Sequence, residues 1–383
     1  MNEAGPVVAF SRGLEGVVAA ETKIGYVDGQ EGRLVYRGFN IETLVENSNY
    51  EEVAYLLLYG NLPTQKQLDE FVSRLRDLRP IDPQLYEIIK KIAPSTHPMN
   101  TLRTAVSYLG SLDPMSTEPN VEQQEEIGIN LIAKMPTIVG AIARAHSKLK
   151  FVDPDPTLPY ASDFFEQSLG RKPSKEEAKM LDAALILHAD HGMNASTFAA
   201  MLTISTLSDM YSAVTSAVAA LKGPLHGGAN ERALALIQKI GTPDRAEEVI
   251  SDMIERKEKI MGFGHRVYKV YDPRAKILKK YAEAVTRQNK TENLFKTANR
   301  IEEVMISKLG TKGIFPNVDF YSGMLYYSIG FKPDMFTPIF AVGRITGWVA
   351  RALEYVRDNR LFRPKAQYIG DKGPREYVPI SQR

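Results

Sequence analysis

Cysteine is missing from all 383 positions of this chain. That one absence removes disulfides, thiolate metal sites and cysteine nucleophiles together. A charge excess is missing too: 48 Lys and Arg stand against 46 Asp and Glu, a formal net charge of +2, where a dedicated nucleic-acid binder carries a clear basic surplus. No stretch reaches the ~18 uninterrupted apolar residues of a membrane span. The opening MNEAGPVVAFSRGLEGVVAAE has an acid early and no basic start followed by an apolar run, so neither a secretory nor an Arg-rich transit leader is expected. The expectation is a soluble, cytoplasmic protein with no nucleic-acid and no membrane partner.

Familiar catalytic signatures are absent as well. The chain has no H-E-x-x-H, no G-x-S-x-G and no Walker A sequence. Its glycine-rich GFGHRV departs from G-x-G-x-x-G and follows a charged helical stretch, not a strand. Zinc hydrolysis, serine-elbow hydrolysis and nucleotide binding by those routes therefore fail. His188 and His191 are spaced to share a helix face, but with no cysteine to complete a zinc site a metal is the minor reading, and a satisfied helix-end histidine is the ordinary account of His188.

What is present is helical. The chain is 44% hydrophobic and 25% charged, and its length exceeds that of a usual single core, so two domains are expected. TKIGYVDGQEGRLVYRGF (22–39) alternates and turns; the Asp28-Gly29 pair and Gly32 are expected to supply left-handed positions of a hairpin. Capping boxes, Thr64 with Gln67 and Ser174 with Glu177, open two helical patterns, and Lys222, Gly223 and Pro224 end a third. The only other strand-like segment is AQYIG near the C-terminus. The fold class is mainly α, with a large helical domain, a smaller inserted helical domain and a small N-terminal β-hairpin. From Ala195 to Ala220 the sequence is uncharged apart from Asp209, which predicts helices buried on every side and a candidate dimer core. Gly- and Pro-marked points near 222–224 and 322–323 divide the chain into residues 1–223 with 323–383, a large helical and dimerisation domain, and 224–322, a small domain whose hinges would let it close.

Six histidines occur, and four lie in or beside Gly- and Asn-containing loops: HADHGMNAST, GPLHGGAN and MGFGHRVY. His226 sits between Pro224 and two glycines. His265 follows Gly262 and Gly264 and precedes the DPR turn of Arg274. Asp319, in PNVDFYSG, lies between a Pro/Asn turn and apolar residues, so its carboxylate is expected to be poorly solvated and more basic. Taken alone, Asp319 reads equally well as a helix N-cap, and each arginine as a surface salt bridge.

HADHGMNAST, GPLHGGAN, MGFGHRVYKVYDPR, PNVDFYSG, FAVGRITGW and RPKAQY, in this order between His188 and Tyr368, together resemble the citrate synthase family in its short bacterial and archaeal type. The resemblance implies an acyl-CoA:oxaloacetate C-acyltransferase of the tricarboxylic acid cycle. Asp319 would take a proton from the acetyl methyl, His226 would stabilise the enol or enolate, and His265 would polarise the oxaloacetate carbonyl. His191, Arg274 and Arg344 would hold oxaloacetate, and Arg363 would reach the neighbouring site of a homodimer. Three arginines suit a dicarboxylate, which guanidinium groups bind in bidentate fashion. No cofactor or metal is implied, because the acetyl-CoA thioester is already activated.

Residues 255–281 hold nine Lys and Arg against three acids. Arg266, Lys269 and Lys312 are the candidate contacts to coenzyme A phosphates, with the backbone of Met261, Gly262, Phe263 and Gly264 near the adenine. A solvated basic helix face competes for Lys276, Lys279 and Lys280. Competing functions are a 2-methylcitrate synthase using propionyl-CoA, since one methylene is worth only about 1–3 kcal/mol in a pocket, a citryl-CoA lyase, and a helical CoA-binding scaffold without catalysis.

Overall fold

The computed structural model describes residues 10–383. Residues 1–9, on which part of the leaderless expectation rests, lie outside the described residues. Helices make up 64% of the fold beside a small three-stranded sheet, as the periodicity predicts.

The sheet is antiparallel, in the order β1 (Gly25–Asp28), β2 (Arg33–Tyr36), β3 (Phe39–Asn40), with Val27 opposite Leu34. Its first turn is organised by the Asp28 carboxylate, whose Oδ1 accepts the N–H groups of Gln30 at 3.0 Å and Glu31 at 2.9 Å, an Asx-type device. Gly32 is left-handed at φ +65°, but the Asp28-Gly29 pair is not. Gly29 meets a different demand, the close approach of the Val267 carbonyl.

Sixteen α-helices follow: α1 (Ile41–Asn47), α2 (Tyr50–Tyr59), α3 (Gln65–Leu78), α4 (Pro83–Ile92), α5 (Pro98–Leu112), α6 (Val121–His146), α7 (Tyr160–Leu169), α8 (Lys175–His188), α9 (Ala195–Ile204), α10 (Met210–Leu221), α11 (Ala229–Ile240), α12 (Ala246–Glu255), α13 (Pro273–Gln288), α14 (Glu292–Leu309), α15 (Val318–Ser328) and α16 (Phe336–Arg357). The capping boxes on α3 and α8 form as expected, and a third, Asn120 with Gln123, opens α6. α6 and α16 are the core pair, packed on each other and nearly buried along their lengths. α6 is long and apolar enough to cross a membrane, yet 83% of that window is buried within the fold, which is how a core helix passes the same test.

Three expectations change. AQYIG forms no strand: residues 359–379 are irregular and mostly exposed, Ile369 is 90% exposed, and no ladder partner lies beside it among the described residues. A strand signature without a partner has nowhere to place its N–H and C=O groups except water. α9 and α10 pack on each other and on α16 but keep one face open, with Leu202 of α9 40% exposed, so they are not buried all round within one chain. Ser322 and Gly323 lie inside α15, which packs chiefly on α11 and α13. Gly323 serves close helix packing there: a Cβ would fall 2.7 Å from the Asn230 carbonyl oxygen.

Candidate active site

Six places along the chain deliver polar side chains to one cavity. The loop after α8 brings His191, the turn between α10 and α11 brings His226, the loop before α13 brings His265, the first turns of α13 and α15 bring Arg274 and Asp319, and α16 brings Arg344. Together with Asn194, Asn317, Val318 and Phe340 they line a cavity of about 130 Å³.

The hydrogen bonds assign the tautomers of two imidazoles. The backbone N–H of Ser196 donates to His226 Nε2 at 3.3 Å, and the Ser196 hydroxyl lies 2.8 Å from the same nitrogen. Nε2 is thus an acceptor, and the proton of the neutral ring belongs on Nδ1. Trp348 Nε1, the indole of the chain's single tryptophan, donates to Ser196 Oγ at 3.1 Å and holds that hydroxyl in place. In His265, Nδ1 accepts two backbone N–H groups, from Val267 and Tyr268, each at 3.0 Å; the proton belongs on Nε2. Burial pushes both rings down to about 4, with Arg344 adding to the effect at His226 and Arg274 at His265. Both are neutral donors at pH 7. His191 is lowered further by burial and by Arg274, packs edge-on 5.1 Å from the His265 ring, and has Nε2 3.2 Å from the Tyr268 hydroxyl.

Asp319 is not the N-cap of α15. Asn317 fills that role, its Oδ1 accepting the Asp319 N–H at 3.0 Å. Released from capping, Asp319 has a buried Oδ1 without any hydrogen-bond partner. Burial raises the group to about 7, against the downward pull of Arg274 and Arg344. The residue lines the cavity, and its environment is that of a base held near neutrality.

The arginines differ. Arg274 is paired with its own turn: Nε and Nη2 reach Asp272 at 3.1 Å and 2.8 Å, leaving Nη1. Arg344 has no carboxylate. Its Nε donates to the His188 carbonyl at 2.5 Å, its guanidinium lies 4.6 Å from the Phe340 ring centre, and its buried Nη1 has no partner. Burial lowers Arg344 to about 10. His188 itself is structural: Nδ1 lies 2.7 Å from the Ala184 carbonyl, and burial pushes the ring down to about 3.

A larger cleft of about 870 Å³ opens from this cavity and is lined by Met261, Gly262, Phe263, Gly264 and Arg266, with Leu225, Met193 and Lys259. Gly262 and Gly264 are both left-handed. At Gly262 a Cβ would also strike Phe320 at 2.8 Å, so that glycine serves packing as well as the cleft. Lys269 and Lys312 are exposed but lie outside the cleft lining. Arg363 is exposed on the C-terminal extension, away from this chain's own cavity. Sequence reasoning passed over Asn194, Asn317, Asp272, Phe340, Ser196 and Trp348. All six stand inside segments already singled out, Trp348 as the last residue of FAVGRITGW.

A family model described as citrate synthase, C-terminal domain, matches residues 13–365. The chain is 47% identical to a citrate synthase of Deinococcus radiodurans over 374 residues, 98% of this chain and 99% of that one. A solved structure of citrate synthase from Thermoplasma acidophilum, a ternary complex with carboxymethyl coenzyme A and oxaloacetate, superposes with a TM-score of 0.94 at 38% identity, covering 98% and 100% of the two chains. A 2-methylcitrate synthase of Corynebacterium glutamicum is 40% identical over 377 residues, 97% of this chain and 98% of that one. The chain belongs to the citrate synthase family.

Proposed function

We propose that this member of the citrate synthase family condenses acetyl-CoA with oxaloacetate, giving citrate and free coenzyme A by way of an enol or enolate and the hydrolysis of citryl-CoA. One observation carries the reading: a carboxylate with a buried, unpartnered Oδ1, raised to about 7, shares a small cavity with two neutral imidazoles and an arginine that has no counter-ion. Asp319 removes a proton from the acetyl methyl. The Nδ1–H of His226 donates to the thioester oxygen as negative charge develops there, the moment at which such a donor is worth most. The new carbon nucleophile attacks the oxaloacetate ketone, whose oxygen accepts from the Nε2–H of His265 and takes that proton as it becomes an alkoxide. Water then cleaves citryl-CoA and releases the thiol.

His191, Arg274 and Arg344 hold oxaloacetate. Because Asp272 already balances Arg274, one chain offers a dianion a single uncompensated guanidinium. Arg363 of a second copy would supply another, which favours a homodimer built on the open face of α9 and α10. The cleft at Met261 to Arg266 takes coenzyme A. The small domain begins at 224 and, since the 322–323 boundary lies within α15, carries that helix whole with α11 and α13; the rest of the chain is the large domain, and oxaloacetate favours closure, which excludes water from the enol. The reaction needs no cofactor, and the protein works in the cytoplasm.

The test is thiol release read with Ellman's reagent, with oxaloacetate and either acetyl-CoA or propionyl-CoA. A protein without cysteine contributes no thiol background. Oxaloacetate-dependent release, faster with acetyl-CoA, is expected. Faster release with propionyl-CoA would move the assignment to 2-methylcitrate synthase, and no release from folded protein would sink the condensing reading.

A further inference from the structure

We infer that the turn of the N-terminal hairpin, acting through Gly29, is a positioning element for His265. The inference rests on the role of His265 given above. Three consecutive N–H groups define that loop. Those of Val267 and Tyr268 donate to His265 Nδ1, and the next, of Lys269, donates to the Gly29 carbonyl at 2.9 Å. The loop is therefore gripped from two sides. From one, Gly264 N–H reaches the Phe315 carbonyl at 2.9 Å, and Asn317 binds Gly262 and Gly264 carbonyls at 2.9 Å each, which ties His265 to the turn that carries Asp319. From the other comes the hairpin, remote in sequence from both.

The fit at the hairpin tip leaves no room. A Cβ on Gly29 would lie 2.2 Å from the carbonyl oxygen of Val267 and 2.8 Å from its carbonyl carbon; one on Gly32 would lie 2.8 Å from Val270 Cγ2. Gly29 is not left-handed, so it is needed for space alone. The base of the hairpin is fixed just as closely. A Cβ on Gly25 would lie 2.6 Å from Asp190 Oδ2, and Asp190, which directly precedes His191, is clamped by Arg351 at 2.9 Å and 2.7 Å. The Tyr36 hydroxyl of β2 donates to the Asp190 carbonyl at 2.8 Å. One two-stranded ribbon thus holds the His191 loop at its base and the His265 loop at its tip, and so sets the relation between two rings 5.1 Å apart.

The experiment compares Gly29→Ala with Gly38→Ala in the full chain. Gly38 is left-handed at φ +92° with nothing within 4 Å of its would-be Cβ, so alanine there strains the same sheet without touching the loop. Gly29→Ala is expected to lower kcat by ~10-fold or more and to raise the oxaloacetate KM, since displacements near 1 Å are that costly. Gly38→Ala is expected to lower the unfolding midpoint and leave both constants alone. The direct signature is nitrogen NMR of labelled histidine, with His265 assigned by its loss in His265→Gln. In the wild type its Nδ1 is an unprotonated acceptor throughout pH 5–8; in Gly29→Ala that signal should titrate at higher pH as the ring, now less buried among Arg274, Asp272, Lys269, His191 and Tyr268, gains water. Should Gly29→Ala not fold, Asp28→Ala, which loosens the turn without adding bulk, should change kcat and the His265 signal in the same direction by a smaller factor. Equal kinetic losses in Gly29→Ala and Gly38→Ala, or a His265 signal unchanged in the variant that folds, would overturn the inference. A wild type without condensing activity would overturn the catalytic reading instead, and the imidazole signal would still decide this one.

Discussion

Arg344 and Arg351 lie about two turns apart on α16, both buried, and their surroundings could hardly differ more. Arg351 is saturated: it grips Asp190 through two nitrogens at 2.9 Å and 2.7 Å and reaches the Thr22 hydroxyl at 3.0 Å. Arg344 has one carbonyl, one aromatic face and an empty Nη1. The acids repeat the contrast. Buried Asp163 is raised to about 6 yet meets Arg79 at 3.1 Å, while Asp319, raised to about 7, has an unpartnered Oδ1. Withdrawing an ion from water costs several kcal/mol. Arg351 and Asp163, away from the cavity, each meet that cost with a counter-ion. Around the 130 Å³ cavity the chain leaves the cost standing, to be met when substrate arrives.

The largest expected effect follows from removing the base. Asp319→Asn should lower kcat by ~10²- to 10⁴-fold, the range for a general base, without unfolding the protein. Its stability should move the other way. A carboxylate whose folded pKa is raised to about 7 is destabilised as pH rises from the ordinary carboxylate range through 7. The asparagine variant should therefore match the wild type in unfolding midpoint near pH 4 and exceed it at pH 8 by ~2–4 °C. The wild-type rate should fall as pH drops below about 7, the side on which Asp319 becomes protonated.

Breaking the saturated pair should do the reverse. Arg351→Leu leaves Asp190 buried and alone and should cost ~3–5 kcal/mol in denaturant unfolding, with lost activity only as a consequence of lost fold. Pairing it with Asp190→Leu should recover much of that loss. A smaller effect is expected at His226, where alanine removes one donor to the developing oxyanion: kcat should fall by ~10²- to 10³-fold while the oxaloacetate KM stays near its wild-type value.

How much of this could be read from sequence divides along the same line. Helix starts were legible because capping boxes are local, as Thr64 with Gln67 and Ser174 with Glu177 show. The cavity residues His191, His226, His265, Arg274, Asp319 and Arg344 were legible because each sits in a short motif, though nothing in composition brings them together. What could not be read was non-local. AQYIG has the residues of a strand and no partner. Gly29 looked like a turn residue and is a spacer against Val267, far along the chain. Lys269 and Lys312 have the right charge but lie outside the cleft, which Lys259 lines instead. Asp319 has two readings in the sequence, and only the placement of Asn317 at the cap separates them.

The most direct test takes the unpaired cation itself. Unfolding midpoints of the wild type and of Arg344→Leu should be measured at pH 8 with and without oxaloacetate. A buried guanidinium without a counter-ion is a burden on the empty fold, so the leucine variant should unfold at the same temperature as the wild type or higher. Oxaloacetate should raise the wild-type midpoint, by mass action on the folded state, and leave the variant unmoved. A variant less stable than the wild type that still responds to oxaloacetate would contradict the claim that Arg344 is held unpaired for the substrate.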